Sequence, residues 1–325
     1  MKMKRKQFIK NVVSMAALIG FDGIPIKTSA EIFGNTSELK NVDHITFGAV
    51  HLNNTNLKAA TNFWTKVVGM KLRSSSNELA EFGSESRTLV VVHQAAKSSF
   101  KEGYSGLYHY AIHLPNKIEF ARMIQRLINS KYAFSPIDHT MSKSIYLRDT
   151  DNVLLEFALE TPERFRRVIS DKGLFMEDTN GTLRSASDAL DVNELLNELP
   201  DENTNVPLHK DTKIGHIHFY ASHLDKTNEF YKTLGFVQFN YLSHYLYADV
   251  GAGGVYKHRI AMNSWHGINK PTAPKENAGL RHYNIIFESN SKLNEVLNNI
   301  IHYERKDDGY WLTDPSGNKL RLHSK

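Results

Sequence analysis

A chain that spells the same strand–helix–strand pattern four times has few folds open to it. Residues 105–116 read SGLYHYAIHLPN and residues 278–289 read AGLRHYNIIFES, two stretches that share G-L-x-H-Y. Four longer segments carry the pattern: FGAVHLN before LKAATNFWTKVVGMKL, LYHYAIHLP before KIEFARMIQRLINS, IGHIHFYAS before LDKTNEFYKTLGFVQF, and LRHYNIIFE before SKLNEVLNNIIHY. Self-similarity of this kind marks a repeat architecture. The second stretch of each segment has apolar residues at helical spacing, as in Phe120, Met123, Ile124, Leu127 and Ile128. Gly69 and Gly235 each follow such a helix, where a left-handed residue is wanted. Modules two and four close with the related hairpins SIYLRDTDNVLLEFAL and YWLTDPSGNKLRLHS, whose DTDN and DPSGN are turn chemistry.

Strand alternation then sorts the side chains, because residues two apart share a face. In module two Tyr108, Tyr110, Ile112 and Leu114 form an apolar face to lie under a helix, and His109, Ala111 and His113 take the other. In module three Ile217 and Phe219 face the helix, while His216, His218 and Tyr220 face away. The first strand of every module therefore points one position into a shared concavity: Ala49, His109, His216 and His282. The expected fold class is α+β: four βαβββ modules forming two paired, barrel-like concave sheets with helices outside. The expected organisation is an export signal over residues 1–30, modules one and two over 41–165, a linker with a short helix over 166–209, and modules three and four over 210–325.

The formal charge of +5 comes from Lys2, Lys4, Arg5, Lys6 and Lys10, with no acid among the first ten residues. The remaining 35 basic residues balance 35 acidic ones, and no basic stripe with interleaved aromatics stands out, so nucleic acid is not an expected partner. The basic start, the short apolar run NVVSMAALIGF and the small residues TSA have the layout of an export signal, and the run is too short to span a bilayer. RKQFIK resembles a twin-arginine motif with Lys6 in place of the second arginine. The expected location is periplasmic or extracellular, with a basic tail on a cytoplasmic protein as the alternative. Cysteine is absent, so neither disulfides nor thiolate metal sites are available.

Together GLYHYAIHLP, DHTMSKSIYLRDTDNVLLEF, LDVNELLNEL, IGHIHFYASHLDKTNEFYKTLGF and MNSWHG resemble the vicinal oxygen chelate superfamily, and within it the four-module, catechol 2,3-dioxygenase-like ring-cleaving enzymes. That resemblance, running from about residue 41 to 325, implies a divalent metal held by two histidines and one glutamate. Such a set leaves three octahedral positions for a bidentate catecholate and dioxygen. The carboxylate position is Glu156 in module two and Arg321 in module four. Modules three and four thus offer His216 and His282 without a carboxylate, and modules one and two offer His109 and Glu156 with Ala49. Pairing modules two and three completes the set as His109, Glu156 and His216, and leaves His282 facing a degenerate second cavity with Ala49 and Arg321.

The same resemblance points to Tyr146 as a contact of the substrate oxygen, His139 as a substrate contact or turn cap, and His258 as a proton acceptor in YKHRIAMN. Asn263 and Trp265 are candidates to line the cavity. The activity implied is an extradiol dioxygenase using Fe(II), with Mn(II) as the alternative. Its partners would be a small aromatic diol and O2, with no integral membrane span and room for a homo-oligomer. Rival readings are a glyoxalase-like metal isomerase, which typically wants a fourth ligand, and a metal-free binding protein for a small aromatic.

Overall fold

The computed structural model describes residues 42–171, 173–201 and 203–325. The export signal expected over residues 1–30 lies outside them. Each of the four modules has the order βαβββ. Module one comprises β1 (Ile45–Asn54), α1 (Leu57–Asn62), β2 (Lys71–Ser75), β3 (Leu79–Gly83) and β4 (Thr88–Gln94). Module two comprises β5 (Gly106–His113), α2 (Lys117–Asn129), β6 (Ser135–Asp138), β7 (Ser142–Arg148) and β8 (Leu154–Glu160). The stretch expected to be a linker with a short helix holds that helix, α3 (Val192–Leu196). It also holds a small sheet of β9 (Phe165–Ile169), β10 (Phe175–Asp178) and β11 (Leu183–Ser185), and the short β12 (Asp188–Ala189) that edges module two. Module three comprises β13 (Lys213–Tyr220), α4 (Leu224–Thr233), β14 (Val237–Leu242), β15 (Tyr247–Gly251) and β16 (Ile260–Asn263). Module four comprises β17 (Gly279–Phe287), α5 (Asn290–Leu297), β18 (Glu304–Lys306), β19 (Gly309–Thr313) and β20 (Lys319–Ser324).

Local chemistry sets the element ends. The side chains of Asn56, Asn116 and Ser289 accept hydrogen bonds from the backbone N–H groups of Ala59, Glu119 and Lys292, capping α1, α2 and α5. Gly69, after the π-helical turn Phe63–Val67 that continues α1, and Gly235, after α4, adopt φ of +81° and +93°, the left-handed conformation that ends each helical stretch. In the two module-closing turns one carboxylate accepts two backbone N–H groups: Asp149 from Asp151 and Val153, Asp314 from Ser316 and Asn318. α2 buries Phe120, Met123, Ile124 and Leu127 as its spacing predicts, but Ile128 points outward. Arg126 is buried instead, donating to the carbonyls of Val68, Thr204 and Val206.

The modules pair across the chain. β1 joins β17 antiparallel in an eight-stranded sheet of modules one and four. β5 joins β13 antiparallel in a nine-stranded sheet of modules two and three. The helices pack on the apolar faces, and Tyr110, Phe219, Tyr231, Tyr283 and Phe287 lie fully buried in the core. Among the described residues no helix is long and apolar enough to cross a membrane.

Both joints carry β-bulges at matching places. In β13 Gly215 is the extra residue between Ile214 and His216, opposite Ile112 and Ala111. In β5 Tyr108 is the extra residue between Leu107 and His109, opposite Phe219 and His218. Bulges re-aim side chains beside functional sites. The second corrects the alternation expected for module two: Tyr108 does not lie under the helix. Its ring stands 4.8 Å from His109, 4.9 Å from His218 and 4.7 Å from Tyr220, on the concave side.

Candidate metal centre

The register of the central joint puts three side chains in one place. Ala111 on β5 lies between Glu156 on β8 and His216 on β13, paired directly with both. Its side chain is a single methyl group, so the carboxylate and the imidazole can reach toward each other above it. His109, two residues back along β5, approaches the same point. Glu156 Oε2 stands 3.1 Å from His109 Nε2 and 3.1 Å from His216 Nε2, and the two nitrogens are 3.2 Å apart. The three are at most 4 % exposed, and they form the one cluster of His, Asp or Glu among the described residues with metal-binding spacing.

The triangle fits a cation. Donors at about 2.1 Å from an ion, in adjacent octahedral positions, stand about 3.0 Å apart, close to the edges observed. Burial holds the pKa of His109 below the ordinary histidine range and that of His216 well below it, which favours the neutral, lone-pair form that binds metals. Glu156 Oε1 accepts a 2.5 Å hydrogen bond from Ser144, leaving Oε2 for the centre. The donor set, two imidazoles and one carboxylate, is that of the facial triad.

The other sequence-predicted residues ring this point. Tyr146 is paired directly with Glu156 across β7 and β8, and its ring lies 5.5 Å from that of His109. Its hydroxyl donates to His139 Nε2 at 2.9 Å, while His139 Nδ1–H donates to the Ala186 carbonyl at 2.6 Å. Burial, then the charge of Glu156, pushes the Tyr146 phenol well above its ordinary pKa, so it stays protonated. The His258 ring is 4.7 Å from that of His216. Its Nδ1–H donates to Asp249 Oδ2 at 2.8 Å, and Tyr247 holds the same carboxylate oxygen at 2.9 Å. Asn263 donates to His218 Nε2 at 2.9 Å. Trp265 stands at the rim, 38 % exposed, with its ring 6.1 Å from those of Tyr108 and His218.

Two parts of the site escape a reading of the strands alone. His113 lies behind His216, with Nε2 at 2.8 Å from His216 Nδ1. The signal was there, since His113 shares a face with His109. Arg259, a neighbour of His258, turns the opposite way. It is 4 % exposed and donates to Glu160 at 2.7 Å and to the Gly215 carbonyl at 3.1 Å. It also pairs with Asp43 at 2.8 Å and lies over the Tyr256 ring. Removing one partner of a buried charge cluster is costly, so Arg259→Met is expected to destabilise the fold by about 3 kcal/mol, read from the urea midpoint.

The sheet of modules one and four repeats the scaffold without the triad. Ala49 stands where His216 does, and Arg321, paired with Asn284, stands where Glu156 does. His282 lies opposite His51, stacked on it with ring centroids 3.9 Å apart, and His51 Nδ1 is 3.1 Å from His93 Nε2. Arg321 donates to Asn284 and pairs with Asp308. The Glu156 counterparts on β4 and β16 are Val91 and Ala261, so one module of the four supplies a carboxylate there.

This fold and its paired modules define a protein class. Residues 41–157 match the family model of the Glyoxalase/Bleomycin resistance protein/Dioxygenase superfamily. Among curated relatives, catechol-2,3-dioxygenase of Bacillus subtilis (strain 168) is 28% identical over 277 residues, covering 82% of this chain and 93% of its own. Two solved structures share the fold at 11% identity. A Bacillus subtilis protein provisionally described as a dioxygenase has a TM-score of 0.55, over 86% of this chain and 85% of its own. A glyoxalase I variant from Zea mays has a TM-score of 0.52, over 87% and 94%.

Proposed function

We propose that this chain is a metal-dependent extradiol dioxygenase that opens a catechol-type ring with O2. The observation that carries the reading is the buried triangle of His109, His216 and Glu156. A bound Fe(II), with Mn(II) as the alternative, would supply joint activation of the diol and dioxygen at the three positions a facial triad leaves open. The chain's own residues do the rest. Tyr146, kept protonated and aimed by His139, hydrogen-bonds a substrate oxygen. His258, with its Nδ1 proton committed to Asp249, turns a lone pair toward the centre, takes the second catechol proton and returns it to the product. The rings of Tyr108, His218 and Trp265 line the approach for a flat aromatic.

A four-ligand isomerase is disfavoured because the counterpart of Glu156 in module three is Ala261. A metal-free binder is disfavoured because the triangle would hold a buried carboxylate against two neutral imidazoles with no counter-charge. The test is anaerobic reconstitution with Fe(II), then a panel of catechols, following O2 uptake and the coloured ring-opened product. Uptake stoichiometric with ring opening is expected. No uptake with any catechol, with either Fe(II) or Mn(II) loaded, overturns the reading. His282→Ala, in the other sheet, is expected to keep kcat within about twofold of the parent, as substitutions far from a site do.

A further inference from the structure

Resting on that metal-site reading, we propose that His113 and Glu160 are positioning residues that fix the tautomer of His216 through a one-way chain of hydrogen bonds. Glu160 Oε1 receives Arg259 at 2.7 Å, Lys213 at 3.2 Å and His113 Nδ1 at 2.8 Å. Surrounded by two cations, this carboxylate is ionised and can only accept. His113 must therefore carry its proton on Nδ1, which leaves a lone pair on Nε2. That lone pair faces His216 Nδ1 at 2.8 Å, so His216 must donate from Nδ1. Its own lone pair is then left on Nε2, the atom that faces Glu156 and His109. Ligand histidines commonly donate their second N–H to a carboxylate or carbonyl, which sets orientation and raises basicity. Here an intervening imidazole passes the carboxylate's influence inward.

The seat of His113 is built for this. A Cβ at residue 215 would stand 2.0 Å from the His113 ring, so the bulge that aims His216 also needs glycine to admit its neighbour. Tyr256 packs edge-on against the same ring at 5.3 Å. His109 has no such support: its Nδ1 is buried without a partner. The two histidines of the triangle are thus unequal: His216 is held through Nδ1 and His109 is not.

Two readouts test the chain, neither of them turnover. Mn(II) affinity, from the EPR signal of the free ion, is expected to fall about 10–100-fold in His113→Leu, the range for lost ligand-orienting partners. His113→Gln, whose amide oxygen can still accept near the old Nε2 position, should recover most of it. Nitrogen-15 NMR of the metal-free protein should show His216 as the Nδ1–H tautomer, and Glu160→Gln, a milder change at a part-exposed residue, should mix the tautomers. Unchanged Mn(II) affinity in His113→Leu, equal loss in the leucine and glutamine variants, or His216 protonated at Nε2 alone in the parent would each overturn the proposal. A parent that shows the Nδ1–H tautomer, lost in Glu160→Gln, yet turns over no catechol would sink the proposed activity and leave the chain standing.

Discussion

Glu156→Met is expected to abolish metal binding and turnover together, and to make the metal-free protein more stable. The carboxylate is 1 % exposed. It supplies the only negative charge of the triangle, and removing it leaves two neutral imidazoles that cannot offset a divalent ion. A loss beyond about 1000-fold in metal affinity, some 4 kcal/mol, is expected. In the metal-free protein the same carboxylate is a buried charge that meets only the Ser144 hydroxyl and the Nε2 atoms of His109 and His216. Replacing buried charge by an apolar side chain of similar volume commonly stabilises by about 1–4 kcal/mol. The urea midpoint should therefore rise as metal content and O2 uptake fall. Opposite signs for stability and function mark a residue kept for chemistry. Stoichiometric metal in the variant contradicts this.

The second large effect is acid sensitivity. His218 is buried, and burial first, then the neighbouring His109, His258 and His216, holds its pKa well below the ordinary value. In the other sheet burial, then His282 and His93, holds His51 at about 2, and burial, then Arg321, holds His282 at about 3. All three shifts are downward, so the unfolded chain takes up protons before the folded one does. Stability present above pH 6.5 is lost as the pH falls below it, and the loss continues down toward the folded pKa values. The limiting slope is about 1.4 kcal/mol per pH unit for each such histidine, and less for the half-buried His51 and His282, which solvent screens. Against a typical stability of about 5–15 kcal/mol, the metal-free protein should unfold between about pH 5 and 4. Urea midpoints in chelator at pH 7.5, 6.5 and 5.5 check this, and a flat series would contradict it.

Much of the fold was legible because the repeat is spelled in residues with few alternatives: a helix closed by Gly69 or Gly235, a turn closed by Asp149 or Asp314. The pairing of modules two and three follows from where carboxylates are missing, since Arg321 and Ala49 each break a rival set. What the strands do not spell is a bulge. Tyr108 obeys alternation by position and breaks it in three dimensions, because one extra residue flips everything before it to the other face. His113 and Arg259 were hidden for a related reason. Each is read from its neighbours in sequence, yet each is defined by a partner more than forty residues away, Glu160 for His113 and Asp43 for Arg259.

The most direct test of the central claim is the anomalous scattering of a crystal grown with Mn(II) or Fe(II). The claim predicts one strong peak within about 2.0–2.3 Å of His109 Nε2, His216 Nε2 and a Glu156 oxygen. A lattice holding the ion beside His51, His93 and His282, or at neither place, would contradict it.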